Sequence, residues 1–132
     1  MKRILEELGV TKGELIETAF KLYVPHGLSE KEAREKFAEF LEKYLSDVNV
    51  NALLHAGILL NREFDLEGDP VCLVADELLG IDIAEYIAGS RGVFEFIRYD
   101  KAKHGVLSKL PPFLDDVVGG LIAGIMSKIY GD

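Results

Sequence analysis

The chain has 132 residues, of which 48% are hydrophobic, and a formal net charge of −8 from 15 basic and 23 acidic side chains. This hydrophobic content excludes a disordered chain, and the length suits a single domain over residues 1–132 with a core of its own. The acidic balance, without a basic stripe, disfavours nucleic-acid binding, and a single cysteine excludes an intrachain disulfide framework.

Capping sequences mark three helices in the first half of the chain. Capping boxes occupy residues 11–14 (Thr-Lys-Gly-Glu) and 29–32 (Ser-Glu-Lys-Glu). In such a box the hydroxyl of the first residue accepts a hydrogen bond from a free backbone amide, and the glutamate carboxylate accepts one from the backbone amide of the first residue. The second box precedes apolar residues at helical spacing, which predicts an amphipathic helix. Asp47 or Asn49 caps a third helix, which is expected to end near Leu60.

The second half is predicted to contain the central helix. Residues 69–70 (Asp-Pro) are a strong start signal, and residues 71–79 are apolar on most sides, so this helix should be buried by the others. Gly80 is expected to bend or end it.

Further elements follow towards the end of the chain. A short helix is predicted over residues 81–88, closed by residues 89–90 (Gly-Ser). Residues 92–99 are helix or strand, and residues 111–112 (Pro-Pro) open a terminal helix to about Tyr130. The prediction is therefore an all-α fold of six or seven helices, with one central helix surrounded by the rest.

Two acidic pairs differ from the other acids because each stands alone in an apolar stretch. They are residues 76–77 (Asp-Glu) and 115–116 (Asp-Asp). An unpaired buried carboxylate costs several kcal/mol or is forced to protonate, so a cation, backbone amides or a metal ion must compensate. The positive end of a helix is an alternative for the second pair. It is rejected for the first pair, which is expected near the end of its helix.

Glycines follow the second acidic pair at helical spacing. Gly119 and Gly120 lie four residues after Asp115 and Asp116, on the same two helix faces. Each interior glycine costs about 1 kcal/mol relative to alanine, which indicates a close approach by a neighbouring helix or by a ligand.

The acids predict a site for a hard cation. Mg²⁺, or Mn²⁺ in its place, takes oxygen ligands and is often completed by substrate phosphate. A neighbouring lysine, Lys101 or Lys103, would stabilise charge on the phosphoryl oxygens, which favours hydrolysis of a phosphomonoester. The candidate carboxylates are Asp76, Glu77, Asp100, Asp115 and Asp116.

Other reactive side chains are expected to be structural. His26 beside a turn should be solvated, His55 should be a hydrogen-bonded core histidine, and Cys72 should be an inert buried thiol.

Three motifs follow one another between residues 74 and 124. They are Asp-Glu-x-x-Gly at 76–80, then Phe96, Asp100 and Lys103 in their relative spacing, and Asp-Asp-Val-Val-x-Gly at 115–120. In this order they resemble the phosphatidylglycerophosphatase A family, whose soluble branch includes archaeal α-ribazole-phosphate phosphatases. The likeness is thinner over residues 51–60 and is only one of helical character over the first 45. The chain departs from the family pattern at Ile97 and His104, where the family has Arg and Pro.

The resemblance implies a helical, Mg²⁺-dependent phosphatase. Carried over by position, it implies catalytic roles for Asp76, Asp100, Lys103 and Asp116. Metal ligation is implied for Asp76, Glu77, Asp115 and Asp116.

The expected substrate is a small phosphorylated molecule, with α-ribazole 5′-phosphate of cobalamin biosynthesis as the first choice. The alternatives are a phosphatidylglycerophosphate-type lipid phosphatase acting at the membrane surface and a non-catalytic helical interaction module. We expect a cytoplasmic protein without a transmembrane segment, as a possible homo-oligomer. Its many Glu and Lys residues are typical of thermophiles.

Overall fold

Six α-helices and one 3₁₀ helix make up the computed structural model, which describes residues 2–64 and 72–131. The elements are α1 (Lys2–Leu8), α2 (Lys12–Phe20), α3 (Glu30–Leu45), α4 (Val48–Glu63), α5 (Ala75–Ala102), a 3₁₀ helix (Gly105–Lys109) and α6 (Pro112–Gly131). No strand occurs in these two ranges, so the predicted all-α fold is confirmed. No helix among the described residues has the length and apolar character needed to cross a membrane.

The predicted caps begin α2, α3 and α4. The Thr11 hydroxyl accepts from the amide of Glu14 at 3.1 Å, and the Glu14 carboxylate accepts from the amide of Thr11 at 2.9 Å. Ser29 forms the same box at the start of α3. Asp47 caps α4 by accepting from the amides of Asn49 and Val50.

The central helix is α6. Every side chain from Phe113 to Ser127 is buried, and α5 packs along it together with parts of α2, α3 and α4. The prediction that residues 71–79 form the central helix is wrong: Cys72 is exposed, Val74 is 56% exposed, and α5 begins only at Ala75. The apolar run at 71–79 has nine residues, whereas α6 has 15 consecutive buried positions and therefore forms the centre of the fold. The expected start signal at 69–70 lies outside the described residues.

Helix α5 reverses direction at Gly89. This glycine has φ 65° and ψ −151°, a conformation that only glycine adopts readily. Beyond it the chain runs back along the first half of α5. The close approach of the two halves is seen at Gly92, where a Cβ would lie 2.2 Å from the carbonyl oxygen of Ala84. The helix continues through Gly80 without interruption, so the predicted break at Gly80 is wrong. Residues 92–99 are helical.

The first half of α5 crosses α6 at two glycines. A Cβ on Gly120 would lie 2.3 Å from the carbonyl oxygen of Gly80, and a Cβ on Gly80 would lie 2.5 Å from that of Asp116. The two backbones are thus in direct contact, which confirms the close packing predicted for Gly120. Because Asp76 and Asp116 each lie about one turn before their glycine, the crossing brings these two acids face to face.

Candidate metal centre

Three segments that are distant in sequence meet at the start of α6. Asp76 lies in the first turn of α5, and Asp115 and Asp116 lie at the start of α6. Asp100 and Lys103 lie at the other end of α5, and in a straight helix Lys103 would be about 40 Å from Asp76. The reversal at Gly89 returns this end to the first turn, so the structure brings together the predicted Asp76, Asp100, Lys103, Asp115 and Asp116.

Lys103 is the cation of this cluster. Its Nζ lies 2.8 Å from Asp100 Oδ1 and 3.8 Å from Asp116 Oδ1, and it donates a hydrogen bond to Asp115 Oδ2. Lys103 also ends α5 in a left-handed conformation, with φ 43°, and its amide donates to the carbonyl of Tyr99. Lys101 is exposed, so of the two predicted lysines it is Lys103 that reaches the acids.

The carboxylates of Asp76 and Asp116 are buried without enough partners. The two residues are 1% and 2% exposed, and Oδ1 of each has no hydrogen-bond partner among the described residues. The side chains of Asp116 and Asp76 are in hydrogen-bonding contact, and this contact raises the pKa of the Asp116 carboxyl. Two buried carboxylates in contact cannot both be ionised unless a cation is added.

Burial shifts the protonation of the cluster. Burial raises the pKa of Asp115 to about 6, although hydrogen bonding to Lys103 opposes the change. Burial and the hydrogen bond with Asp76 together raise the pKa of Asp116 far above its ordinary value. Burial alone would lower the pKa of Lys103, but its hydrogen bonds to Asp100 and Asp115 outweigh burial and the pKa is raised.

Helix dipoles do not account for these buried acids. Because α5 begins at Ala75, Asp76 and Glu77 lie in its first turn, and the expectation that they lie near a helix end is wrong. Both acidic pairs therefore face positive helix ends. That interaction contributes about 0.3–1 kcal/mol and at most about 2, whereas burying a carboxylate costs several kcal/mol. Within residues 2–64 and 72–131, four carboxylates and one ammonium meet here, which leaves the cluster short of positive charge.

The spacing of the oxygens suits a metal ion. One carboxylate oxygen each from Asp100, Asp115 and Asp116 lies within 4.8 Å of the other two. Two ligands on opposite sides of an ion, each about 2.4 Å from it, would be separated by that distance. Asp76 is in contact with Asp116, and its Oδ1, which has no hydrogen-bond partner among the described residues, is a further candidate ligand.

Other predicted residues lie outside this cluster. Glu77 is exposed and is not one of the three clustered carboxylates. His55 is not a core residue as predicted, since its side chain is 49% exposed with Nδ1 3.6 Å from Glu7. Cys72 is exposed rather than buried, because α5 begins after it. His26 is exposed, as predicted.

The sequence predicts that the two acidic pairs come together in space, and the structure brings Asp76 and Asp116 into contact. The glycines that follow these acids are a further signal for this contact. Each acid is followed four residues later by a glycine, Gly80 or Gly120. Two such pairs indicate two helices that cross at the glycines and face each other at the acids. The break at Gly89 also has a local signal, because residues 89–90 (Gly-Ser) are predicted to close the helix over residues 81–88, and the structure confirms that break.

Comparison with known proteins gives one informative relative. The chain is 37% identical over 126 residues to a protein of Methanocaldococcus jannaschii named "Uncharacterized protein MJ1330", and the match covers 87% of this chain and 99% of the relative. The chain belongs to the MJ1330 family. No family model matches the chain, and no solved structure matches it significantly. The name of the MJ1330 relative states no activity.

Proposed function

We propose that this protein is a Mg²⁺-dependent phosphomonoesterase. The observation that supports this most directly is that one carboxylate oxygen each of Asp76 and Asp116 has no hydrogen-bond partner among the described residues, although both lie buried beside the Asp100–Lys103–Asp115 ion pairs. A structural ion-pair network would satisfy these oxygens, whereas a metal site leaves them for the ion. The motif likeness to the phosphatidylglycerophosphatase A family supports the same proposal.

The buried carboxylates fit a hard cation. Asp76, Asp115 and Asp116 would hold it, with Asp100 at the more open side of the cluster, where its side chain is 26% exposed. When bound, a divalent cation supplies positive charge that offsets the carboxylates and polarises a phosphoryl oxygen. Glu77 completes the predicted ligand set only as a second, exposed carboxylate on the same turn of α5.

The side chains of the cluster divide the work of hydrolysis. The Lys103 ammonium binds the phosphoryl oxygens and stabilises the charge that they carry in the transition state. Once a cation offsets their charge, the carboxylates of Asp76 and Asp116 would be ionised, and one of them would accept a proton from the attacking water. The bond from the water oxygen to phosphorus forms, the ester bond breaks, and the proton passes to the departing alcohol.

The leading substrate is α-ribazole 5′-phosphate. Apolar side chains lie near the acids. Val74 and Leu78, two residues on either side of Asp76, are each 56% exposed. The ring of Phe64 lies 6.2 Å from that of Phe113, which precedes Asp115 by two residues. Such side chains suit a substrate with an apolar group next to its phosphate. The benzimidazole base of α-ribazole has this character, and so does the lipid of phosphatidylglycerophosphate, which is therefore the second candidate.

Phosphate release with both substrates tests the proposal. Wild-type protein is assayed with Mg²⁺ and again after chelation, with the lipid presented in detergent micelles. We expect Mg²⁺-dependent hydrolysis, and a decrease of about 10³-fold or more in the Asp116→Asn variant, since it removes both a ligand and a proton acceptor. Glu30→Gln, which neutralises an exposed acid on α3, is the matched control and should keep full activity.

Two outcomes would contradict the proposal. Hydrolysis that persists after chelation would exclude the metal-dependent reaction. Release of phosphate from neither substrate, by a protein that also binds no divalent cation, would favour the helical interaction module.

A further inference from the structure

We propose that Lys103 is a tethered counter-ion of the metal site: its ammonium and the divalent cation exchange at Asp115, and the displaced ammonium then faces the substrate phosphate. This inference rests on the proposed function, because it places the cation in the same cluster. It adds a competition between an internal cation and the metal, which a site built only of carboxylates would not have.

The ammonium and the divalent cation need the same space among the acids. The Lys103 Nζ lies between the clustered acids, bonded to Asp115, 2.8 Å from Asp100 and 3.8 Å from Asp116. A divalent ion bound to Asp115 and Asp116 would lie about 2.0–2.6 Å from their carboxylate oxygens. Because the oxygens are all within 4.8 Å of one another, the space between them holds one cation, and a second would overlap it and repel it.

The Lys103 side chain can move out of the cluster, whereas the side chains of Asp115 and Asp116 cannot. Its side chain is 37% exposed and extends from the last turn of α5 on a flexible stem. Asp115 and Asp116 lie on the buried start of α6, with 10% and 2% of their side chains exposed. Asp100, at 26%, lies on the exposed side and can keep the ammonium after it has left Asp115.

The exchange links metal binding to phosphate binding. Before the metal binds, the ammonium provides the charge that allows the acids to be buried. Once it is displaced towards Asp100, it lies at the exposed side of the cluster, where a phosphate dianion arrives. Removal of the ammonium should therefore strengthen the binding of the metal alone.

Calorimetric titration with Mn²⁺ alone, without any phosphate, tests this competition. The proteins are the wild type, Lys103→Met, and Lys101→Met, a matched control that removes the same charge from an exposed position two residues earlier. We expect Lys103→Met to bind Mn²⁺ at least about tenfold more tightly than the wild type, and Lys101→Met to bind within about twofold of it.

The outcomes separate this inference from the proposed function. If Lys103→Met binds Mn²⁺ as the wild type does, or more weakly, the ammonium and the metal are bound together and the inference is wrong, while the metal site stands. If none of the three proteins binds Mn²⁺, both proposals are wrong.

A measurement on the wild type covers the case in which Lys103→Met does not fold. Amines are acylated briefly with an N-hydroxysuccinimide ester, with and without Mn²⁺, and the modified lysines are identified by mass spectrometry. Displacement predicts that Mn²⁺ increases the modification of Lys103 and leaves that of Lys101 unchanged. An unchanged or lower modification of Lys103 would overturn the inference.

Discussion

Helix α3 and the start of α6 place acidic residues in opposite environments. Helix α3 carries five glutamates, all of them exposed, at positions 30, 32, 35, 39 and 42. Arg34 pairs with one of them at 3.0 Å and Lys12 with another at 3.2 Å. The start of α6 has only two acids, both buried and next to further buried or half-buried carboxylates. The number of acids in a helix therefore does not indicate a functional site, whereas the burial of acids does.

A charged partner also contributes less free energy at the exposed acids of α3 than at the buried acids of α6. An exposed ion pair contributes about 0–1 kcal/mol, because water already solvates both charges. At the start of α6 each carboxylate has lost most of its water, so a missing partner costs several kcal/mol. Changes around α6 should consequently be large, and changes on α3 should be small.

The largest structural effect is expected from Gly120→Ala, which should separate α5 from α6. The new Cβ would meet the carbonyl oxygen of Gly80 at 2.3 Å, and a backbone carbonyl cannot move aside as a flexible side chain does. We expect a loss of at least about 3 kcal/mol in the free energy of unfolding, measured by chemical denaturation.

Gly119→Ala is the matched control for this substitution. A Cβ there would meet Phe96 at 3.5 Å, which is ordinary contact, and alanine is the better helix former. It should be neutral or stabilising. Equal losses in the two variants would show that the glycines do not set the helix contact, and the explanation for the juxtaposed acids would fail with it.

The sequence predicts the elements of both regions better than their arrangement. The caps of α2, α3 and α4 are local signals, and the structure contains them. The isolated acids at 76–77 and 115–116 stood out because apolar neighbours imply burial. The glycine at position 89 predicts the break in α5, but the direction in which the chain returns and the choice of α6 as central helix depend on tertiary packing, which no local pattern records.

The pH dependence of stability should differ between the two groups of acids. Because the pKa of Asp115 is raised to about 6, the folded protein keeps a proton that the unfolded chain releases near pH 4. Stability without metal should therefore fall as pH rises from about 4 to 6, by roughly 2–3 kcal/mol from this group. The raised pKa of Asp116 extends the decrease to higher pH.

Denaturation in a chelating buffer at pH 4.5 and pH 7 measures this effect. Asp115→Asn should show a smaller decrease than the wild type, and added Mg²⁺ should restore the stability of the wild type at pH 7, because a bound cation replaces the proton. A wild-type protein that becomes more stable between these pH values in the chelator would contradict the burial of uncompensated acids at α6.

The smallest effect is expected on α3 itself. Glu30→Gln removes a salt bridge with Arg34, but Arg34 keeps its bond to Glu17 at 2.8 Å, and the Glu30 side chain is 56% exposed. The free energy of unfolding should change by less than about 0.5 kcal/mol at moderate salt, in the same denaturation experiment. A loss above about 1 kcal/mol would mean that surface acids also contribute strongly to stability. The contrast between the two regions would then reflect the placement of cations rather than burial, and the unpartnered oxygens of Asp76 and Asp116 would be weaker evidence for a metal.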